Sequence, residues 1–243
     1  MSRAACAATA GLPAPHRVDA TRVDAPPGGG QGRRVPALPS YISPHLAFED
    51  AARAAGARVV VGIDEVGRGP WAGPVVACAA RLIAPPPPGL RDSKKLSAAR
   101  RRALEPLLRE CCEFGIGEAS VAEIDALDIR RATHLAMQRA VAALPGSPDH
   151  LLIDGRDRPD WLDRPHDLIV GGDARSASIA AASVLAKTWR DRGMMALAQQ
   201  HPGYGWETNV GYGTKCHLEG LKCHGVTQHH RQSFAPIRKM LRP

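Results

Sequence analysis

"ARVVVGIDEVGRGPWAGPVVACAARLI", residues 57–83, decides the fold. Two β-branched, apolar runs, ARVVVGID and GPVVACAARLI, flank a glycine-rich turn, and each reads as a buried strand. Asp64 and Glu65 put paired carboxylates at the end of the first run, where charge is expensive to bury. Gly67 and Gly69 then leave the backbone bare on either side of Arg68. Successive strand residues face opposite sides, so the two acids share one site only if the strand stops at them, and the GRG turn predicts that stop.

Outward from this stretch, PPPP at 85–88 ends the second strand, and FGIGEAS at 114–120 offers a third. Residues 97–112 read as a helix opened by Ser97 as N-cap. In residues 128–144, Ile129, Ala132, Leu135, Ala136, Ala140 and Leu144 recur at helical spacing, and PGSP ends the pattern. HLLID at 150–154 and DLIVGGD at 167–173 repeat the opening motif, an apolar strand halting on an aspartate, here Asp154 and Asp173. A small-residue helix follows at 176–191, and glycine-rich connections with short helices fill the last third. Strands first, then strands alternating with helices, predict an α/β protein with a mixed central sheet flanked by helices. Residues 1–45, rich in Ala, Pro, Gly and Arg without apolar periodicity, read as a disordered tail. Residues 46–200 form the expected main domain, and residues 201–243 a C-terminal helical region.

A formal net charge of +8 and a pI near 9.5 point to an anionic partner such as nucleic acid. Six cysteines occur without any CxxC pair, which suits free thiols in a reducing cytoplasm. KCHLEGLKCH tempts a zinc reading, but on a helix Cys216 and Cys223 stand about 10.5 Å apart along the axis. Thiolates sharing a zinc each lie about 2.3 Å from it, so the two cannot share one ion. No apolar run reaches the roughly 20 residues of a membrane span, and no secretory signal pattern opens the chain. The sequence thus predicts a soluble, cytoplasmic protein without a membrane partner, with a monomer as the default.

In open α/β sheets ligands sit beyond the strand ends, so Asp64, Glu65, Asp154 and Asp173 are expected to converge there. Clustered carboxylates raise one another's pKa, and a divalent cation relieves the repulsion. Hard oxygen ligands suit Mg²⁺ or Mn²⁺. Two such ions about 3.5 to 4 Å apart suit phosphoester hydrolysis, activating a water and stabilising the leaving oxygen. GRGPWAG lacks the GK[ST] ending of a phosphate loop, and no GxGxxG stands between strand and helix, so nucleotide-binding enzymes are poorly supported.

In order, GIDEVGRGPWAGPVV, DSKKLS (92–97), LIDG (152–155), GGDARSASIAAASVLAK (171–187), GYGT (211–214) and HHRQSF (229–234) resemble bacterial ribonuclease HII, a type 2 ribonuclease H. The likeness runs from about Val59 to Phe234. It implies a ribonuclease H-like fold and endonucleolytic cleavage of RNA in RNA–DNA hybrids. It further implies cleavage 5′ of ribonucleotides embedded in duplex DNA, leaving 3′-hydroxyl and 5′-phosphate ends, in the removal of misincorporated ribonucleotides and RNA primers. The family's acidic quartet falls on Asp64, Glu65, Asp154 and Asp173, its substrate-sensing turn on Gly67, Arg68 and Gly69, and its junction-reading tyrosine on Tyr212. Ser93, Lys94 and Lys95 fall where the family approaches the backbone phosphates. One departure stands out: the family commonly has His-Lys before GYGT, and this chain has Asn209 and Val210, removing a positive charge.

Two rival readings come from other classes. A nucleic-acid-binding module with structural acids would bind without metal-dependent turnover. A nuclease for plain DNA or single-stranded RNA would have no use for a bare GRG backbone suited to a 2′-hydroxyl.

Overall fold

The computed structural model describes residues 43–242, so the expected tail lies almost wholly outside the described residues. Five strands form one mixed sheet in the order β3-β2-β1-β4-β5. β1 (Val60–Val66), β2 (Val75–Leu82) and β3 (Cys112–Ala119) make an antiparallel meander. β4 (His150–Asp154) and β5 (His166–Ile169) add in parallel on the free side of β1. β1 is therefore central, covered on both faces, and its V-V-G-I run is apolar on both sides as such a strand must be.

Helices fill the two faces. α2 (Ala98–Cys111) and α5 (Ala177–Gln200) pack on one, burying Cys78, Ala80, Leu104, Leu108, Ala181 and Leu185. α4 (Ile129–Ala142), preceded by α3 (Val121–Leu127), packs on the other over Ile63, Ala77, Ala136, Met137 and Ile153. Ser97 caps α2 as expected, its Oγ accepting from Arg100 N, whereas Asp128, read as the first residue of the next helix, is the cap of α4, its Oδ1 accepting from Arg130 N and Arg131 N. α3 was not expected, although Ser120 and Glu123 close a capping box around its first turn. α5 runs nine residues past the expected Asp191 to Gln200.

Glycine governs how closely these helices approach. A Cβ on Gly115 or Gly117 of β3 would strike the backbone of α4 at Ala140 and Ala136, and one on Gly62 of β1 would strike the backbone of α5 at Ser178. Both helices thus rest on bare strand backbone.

α1 (Ala47–Ala54) lies ahead of β1, and its buried Glu49 accepts bonds from Ser176 Oγ, Ser178 Oγ and Ser178 N at the start of α5. At the other end of α5, α6 (Trp206–Asn209), α7 (Lys215–His224) and α8 (Ala235–Met240) gather around Ala72, Met194, Tyr204, Trp206, Leu221 and Ile237. Residues 215–224 are helical, as the zinc argument required. Of that segment, His217 is buried and bonded to Trp206 Nε1 and His230 Nε2, each at 3.1 Å.

Candidate active site

Asp64 and Glu65 do not end their strand. The β1–β2 ladder continues through Val66, pairing Asp64 with Cys78 and Glu65 with Ala77. What ends here is the other ladder: β4 pairs with β1 only as far as Ile63. The sheet therefore opens on the β4 side at the two acids while β2 still holds them. As strand geometry demands, they leave on opposite faces. Asp64 turns toward α5, where the nearby Ser183 hydroxyl favours its charged form. Glu65 lines a cavity of about 610 Å³ beside α4, together with Arg68, His134, Asp154 and Arg156.

Asp154 ends β4 as expected, and its Oδ1 accepts from Gly172 N at 2.7 Å. That bond draws in the turn after β5. Asp173 does not end β5; it sits four residues later in a short 3₁₀ turn, Gly172–Ala174, and is buried. Gly171 opens that turn in the left-handed region, φ 65°, which lets the chain reverse there.

The four acids share one electrostatic site. Burial pushes Asp64 well above the ordinary carboxylate range, and Glu65, Asp154 and Asp173 push it further, against the influence of the Ser183 hydroxyl. Burial also raises Glu65, opposed by Arg68, whose Nη1 lies 3.2 Å from Glu65 Oε1. Asp173 is raised by burial and by Asp154, while Lys94 Nζ, 3.3 Å from its Oδ2, works the other way. Among the described residues no three His, Cys, Asp or Glu side chains already close on a common point. The arrangement is an open cluster of desolvated, mutually repelling oxygens, and that donor set fits hard divalent cations.

Around the acids lie the other expected residues. Lys94 and Lys95 project from a 3₁₀ turn whose start is capped by Asp92. Ser93 points inward: it is buried, and its hydroxyl lies 2.7 Å from that of Ser183, linking the DSKKLS segment to the neighbour of Asp64. Gly67 takes φ 91°, a conformation that favours glycine. A Cβ on Gly69 would lie 3.4 Å from Tyr212 Cε1, so the tyrosine ring, nearly half exposed, stands directly against the GRG backbone.

The family model for ribonuclease HII matches residues 61–237. The chain belongs to the ribonuclease HII family. It is 57% identical over 199 residues to a ribonuclease HII of Paracoccus denitrificans, covering 82% of this chain and 95% of that one. A ribonuclease HII of Ruegeria pomeroyi is 57% identical over 201 residues, covering 82% and 85%. Among solved structures, ribonuclease H2 from Pyrococcus horikoshii shares the fold with a TM-score of 0.64 at 23% identity, covering 75% of this chain and 97% of that one. A structure of Bst-RNase HIII in complex with Mn²⁺ gives 0.62 at 22% identity, covering 79% and 71%. As a member of the family this protein is a ribonuclease H, a hydrolase acting on RNA–DNA hybrids with divalent metal. No helix among its described residues is long and apolar enough to cross a membrane.

Sequence reasoning missed the groups beneath this ribonuclease HII site. Arg190, in α5, and Arg231, within HHRQSF, are both fully buried. Arg231 lay inside a motif that had no part assigned. Arg190 carried a weaker signal, a charged side chain on the inward side of a small-residue helix.

Proposed function

We propose that this enzyme hydrolyses the RNA strand of RNA–DNA hybrids and also cuts on the 5′ side of single ribonucleotides embedded in duplex DNA, in the removal of misincorporated ribonucleotides and RNA primers. The observation that carries the reading is the placement of the Tyr212 ring against Gly69 of the GRG turn, next in the chain to an electrostatically coupled group of four carboxylates. A 2′-hydroxyl is the group by which a protein tells RNA from DNA, and bare backbone donors and acceptors meet it at close range.

In this reading Asp64, Glu65, Asp154 and Asp173 hold Mg²⁺ or Mn²⁺, two ions with substrate bound. The bound ions supply an activated water and charge stabilisation at the leaving oxygen. The backbone of Gly67, Arg68 and Gly69 receives the ribose 2′-hydroxyl. Tyr212 packs on the neighbouring deoxyribose and so fixes which phosphate lies over the acids. Lys94 and Lys95 approach the backbone phosphates, on the turn that the inward-facing Ser93 anchors. Attack of water at phosphorus breaks the P–O3′ bond; the upstream strand leaves with a 3′-hydroxyl and the ribonucleotide keeps a 5′-phosphate. The enzyme works as a monomer in the cytoplasm.

The test is a duplex carrying one ribonucleotide, incubated with Mg²⁺, with Mn²⁺ and with chelator, followed by mapping of the product ends. Metal-dependent cleavage 5′ of the ribonucleotide with those ends is expected. Cleavage confined to long hybrids, or cleavage of plain DNA, would overturn the reading.

A further inference from the structure

Arg190 and Arg231 are 1% and 0% exposed, and neither forms an ion pair among the described residues. All their hydrogen bonds go to backbone carbonyls. Arg231 donates Nη1 to Arg68 O at 2.9 Å, Nη2 to Gly67 O at 2.5 Å, and Nε and Nη2 to Gly73 O at 3.0 and 2.8 Å. Arg190 donates Nε to Pro74 O at 2.9 Å, Nη2 to Ala72 O at 3.1 Å and Nη1 to Val210 O at 3.0 Å. The three consecutive carbonyls of residues 72–74 are thus divided between the two guanidiniums. This short segment is a shared rail: one arginine fastens the GRG turn to it, the other fastens the tyrosine loop.

The loop needs fastening. Val210 lies at φ 44° and ψ 35°, a left-handed conformation that a β-branched residue resists and holds only when its surroundings impose it. Its carbonyl goes to Arg190, the next carbonyl, Gly211 O, accepts from Trp71 N at 2.8 Å, and Tyr212 follows. Arg190 also runs directly beneath Gly67, where any Cβ would strike it.

Burying two like charges without an acid is costly, and apolar replacements of similar volume are often at least as stable. Burial lowers Arg190 to about 10 and Arg231 to about 9, so both stay charged at neutral pH. What an apolar side chain cannot supply is a rigid planar fork of donors reaching several carbonyls at once.

We infer that Arg190 and Arg231 are positioning residues that set the spacing between the GRG backbone and the Tyr212 ring, and through it the preference for a single embedded ribonucleotide. The inference rests on the part proposed above for Tyr212. A single ribonucleotide offers one register, and a misplacement of about 1 Å can lower a rate on the order of 10²-fold. A continuous hybrid offers many registers and tolerates the shift.

The test uses Arg190→Lys and Arg231→Lys in the full chain, which keep the charge and remove the fork. kcat and KM are measured on a duplex with one ribonucleotide and on a long RNA–DNA hybrid, in one buffer and metal. The ratio of the two kcat/KM values should fall at least roughly tenfold, chiefly through kcat on the single-ribonucleotide duplex. In a Tyr212→Ala background the same lysine substitutions should change that ratio less than about twofold, because the spacing no longer has a ring to place. Gly211→Ala is the independent arm, used whether or not the lysine variants fold. Its methyl would press on Ala72 O and push the tyrosine loop off the rail with both arginines intact, and the same loss of preference is expected. Equal losses on both substrates, unchanged preference in the lysine variants, or unchanged preference in Gly211→Ala would each overturn the inference. Should Tyr212→Ala itself leave the ratio unchanged, the reading of Tyr212 fails, and the inference with it. A ratio lowered by Tyr212→Ala but not by the arginine variants removes the inference alone.

Discussion

His230→Gln should remove an acid-sensitive element from the C-terminal region, and its size follows from the bonding. Thr227 N donates to His230 Nδ1 at 3.0 Å, so the proton of His230 sits on Nε2 and is donated to His217 Nε2. His217 Nε2 also accepts from Trp206 Nε1, which leaves its proton on Nδ1, donated to Tyr212 O at 2.9 Å. Both rings are neutral in this pattern. Burial first, then the neighbouring His217, lowers His230 from the ordinary 6.5 to about 4. A base with a depressed folded pKa contributes stability that is full above about pH 6.5 and is lost as the pH falls toward about 4. The linkage relation gives a loss of about 2 kcal/mol at pH 5 and about 3 kcal/mol at pH 4, relative to pH 7. Glutamine keeps a side-chain amide near the Nε2 position and cannot titrate. The assay is thermal unfolding of wild type and variant between pH 7 and pH 4.5, each pair in one buffer. Differencing against the variant cancels the carboxylates, of which Asp64, Glu65 and Asp173 are raised and Glu105, Glu123 and Asp157 lowered. The wild type's advantage in Tm should shrink by roughly 4 to 8 °C between pH 7 and pH 5. An advantage that stays constant over that range would refute the tautomer argument and the buried, neutral state of the pair.

Asp154→Asn should abolish cleavage in saturating Mg²⁺ while raising or preserving the Tm of the metal-free protein, since Asp154 repels Asp64, Glu65 and Asp173; wild-type turnover would remove the quartet from the mechanism. Tyr212→Ala should impair cleavage at one embedded ribonucleotide far more than cleavage of a long hybrid, and equal losses in kcat/KM on the two would leave Tyr212 as a packing residue. Val210→Lys restores the charge that the family commonly carries there and should steepen the salt dependence of substrate binding by about one phosphate contact; an unchanged slope in a binding titration across salt concentrations counts against a phosphate path on that side.

The succession of strands and main helices along the chain was legible because apolar runs, caps and turn residues act locally. His150–Asp154 and the cap at Ser97 follow from a handful of neighbouring residues each. The acids were legible as a group, since charge at the end of an apolar run stands out in one dimension. Their surroundings were not. Whether β1 stops at Asp64 depends on which neighbour leaves first, β2 or β4, and that is settled by pairing between segments about 90 residues apart in sequence for β4. The turn carrying Asp173 is closed by Asp154 from another strand. Arg190 and Arg231 act only through carbonyls that the fold brings to them, and an arginine in a basic chain gives no sign that it will be buried. α3 was within reach: the S-x-x-E of Ser120 to Glu123 was there to be read.

The glycines on which α4 and α5 rest have a consequence for how such an enzyme can diverge. Where a helix touches strand backbone, its distance from the sheet is already the shortest that atoms permit, and no choice of side chain can shorten it. Enlargement is equally closed, because any residue other than glycine at 62, 115 or 117 drives the helix off the sheet and unpacks the core between them. The walls on either side of the acids are thus fixed by atomic radii, a dimension that selection cannot adjust in small increments. Descendants of this chain that handle a wider or narrower duplex would have to change the turns at residues 67–69, 92–95 and 209–214, and leave the frame alone.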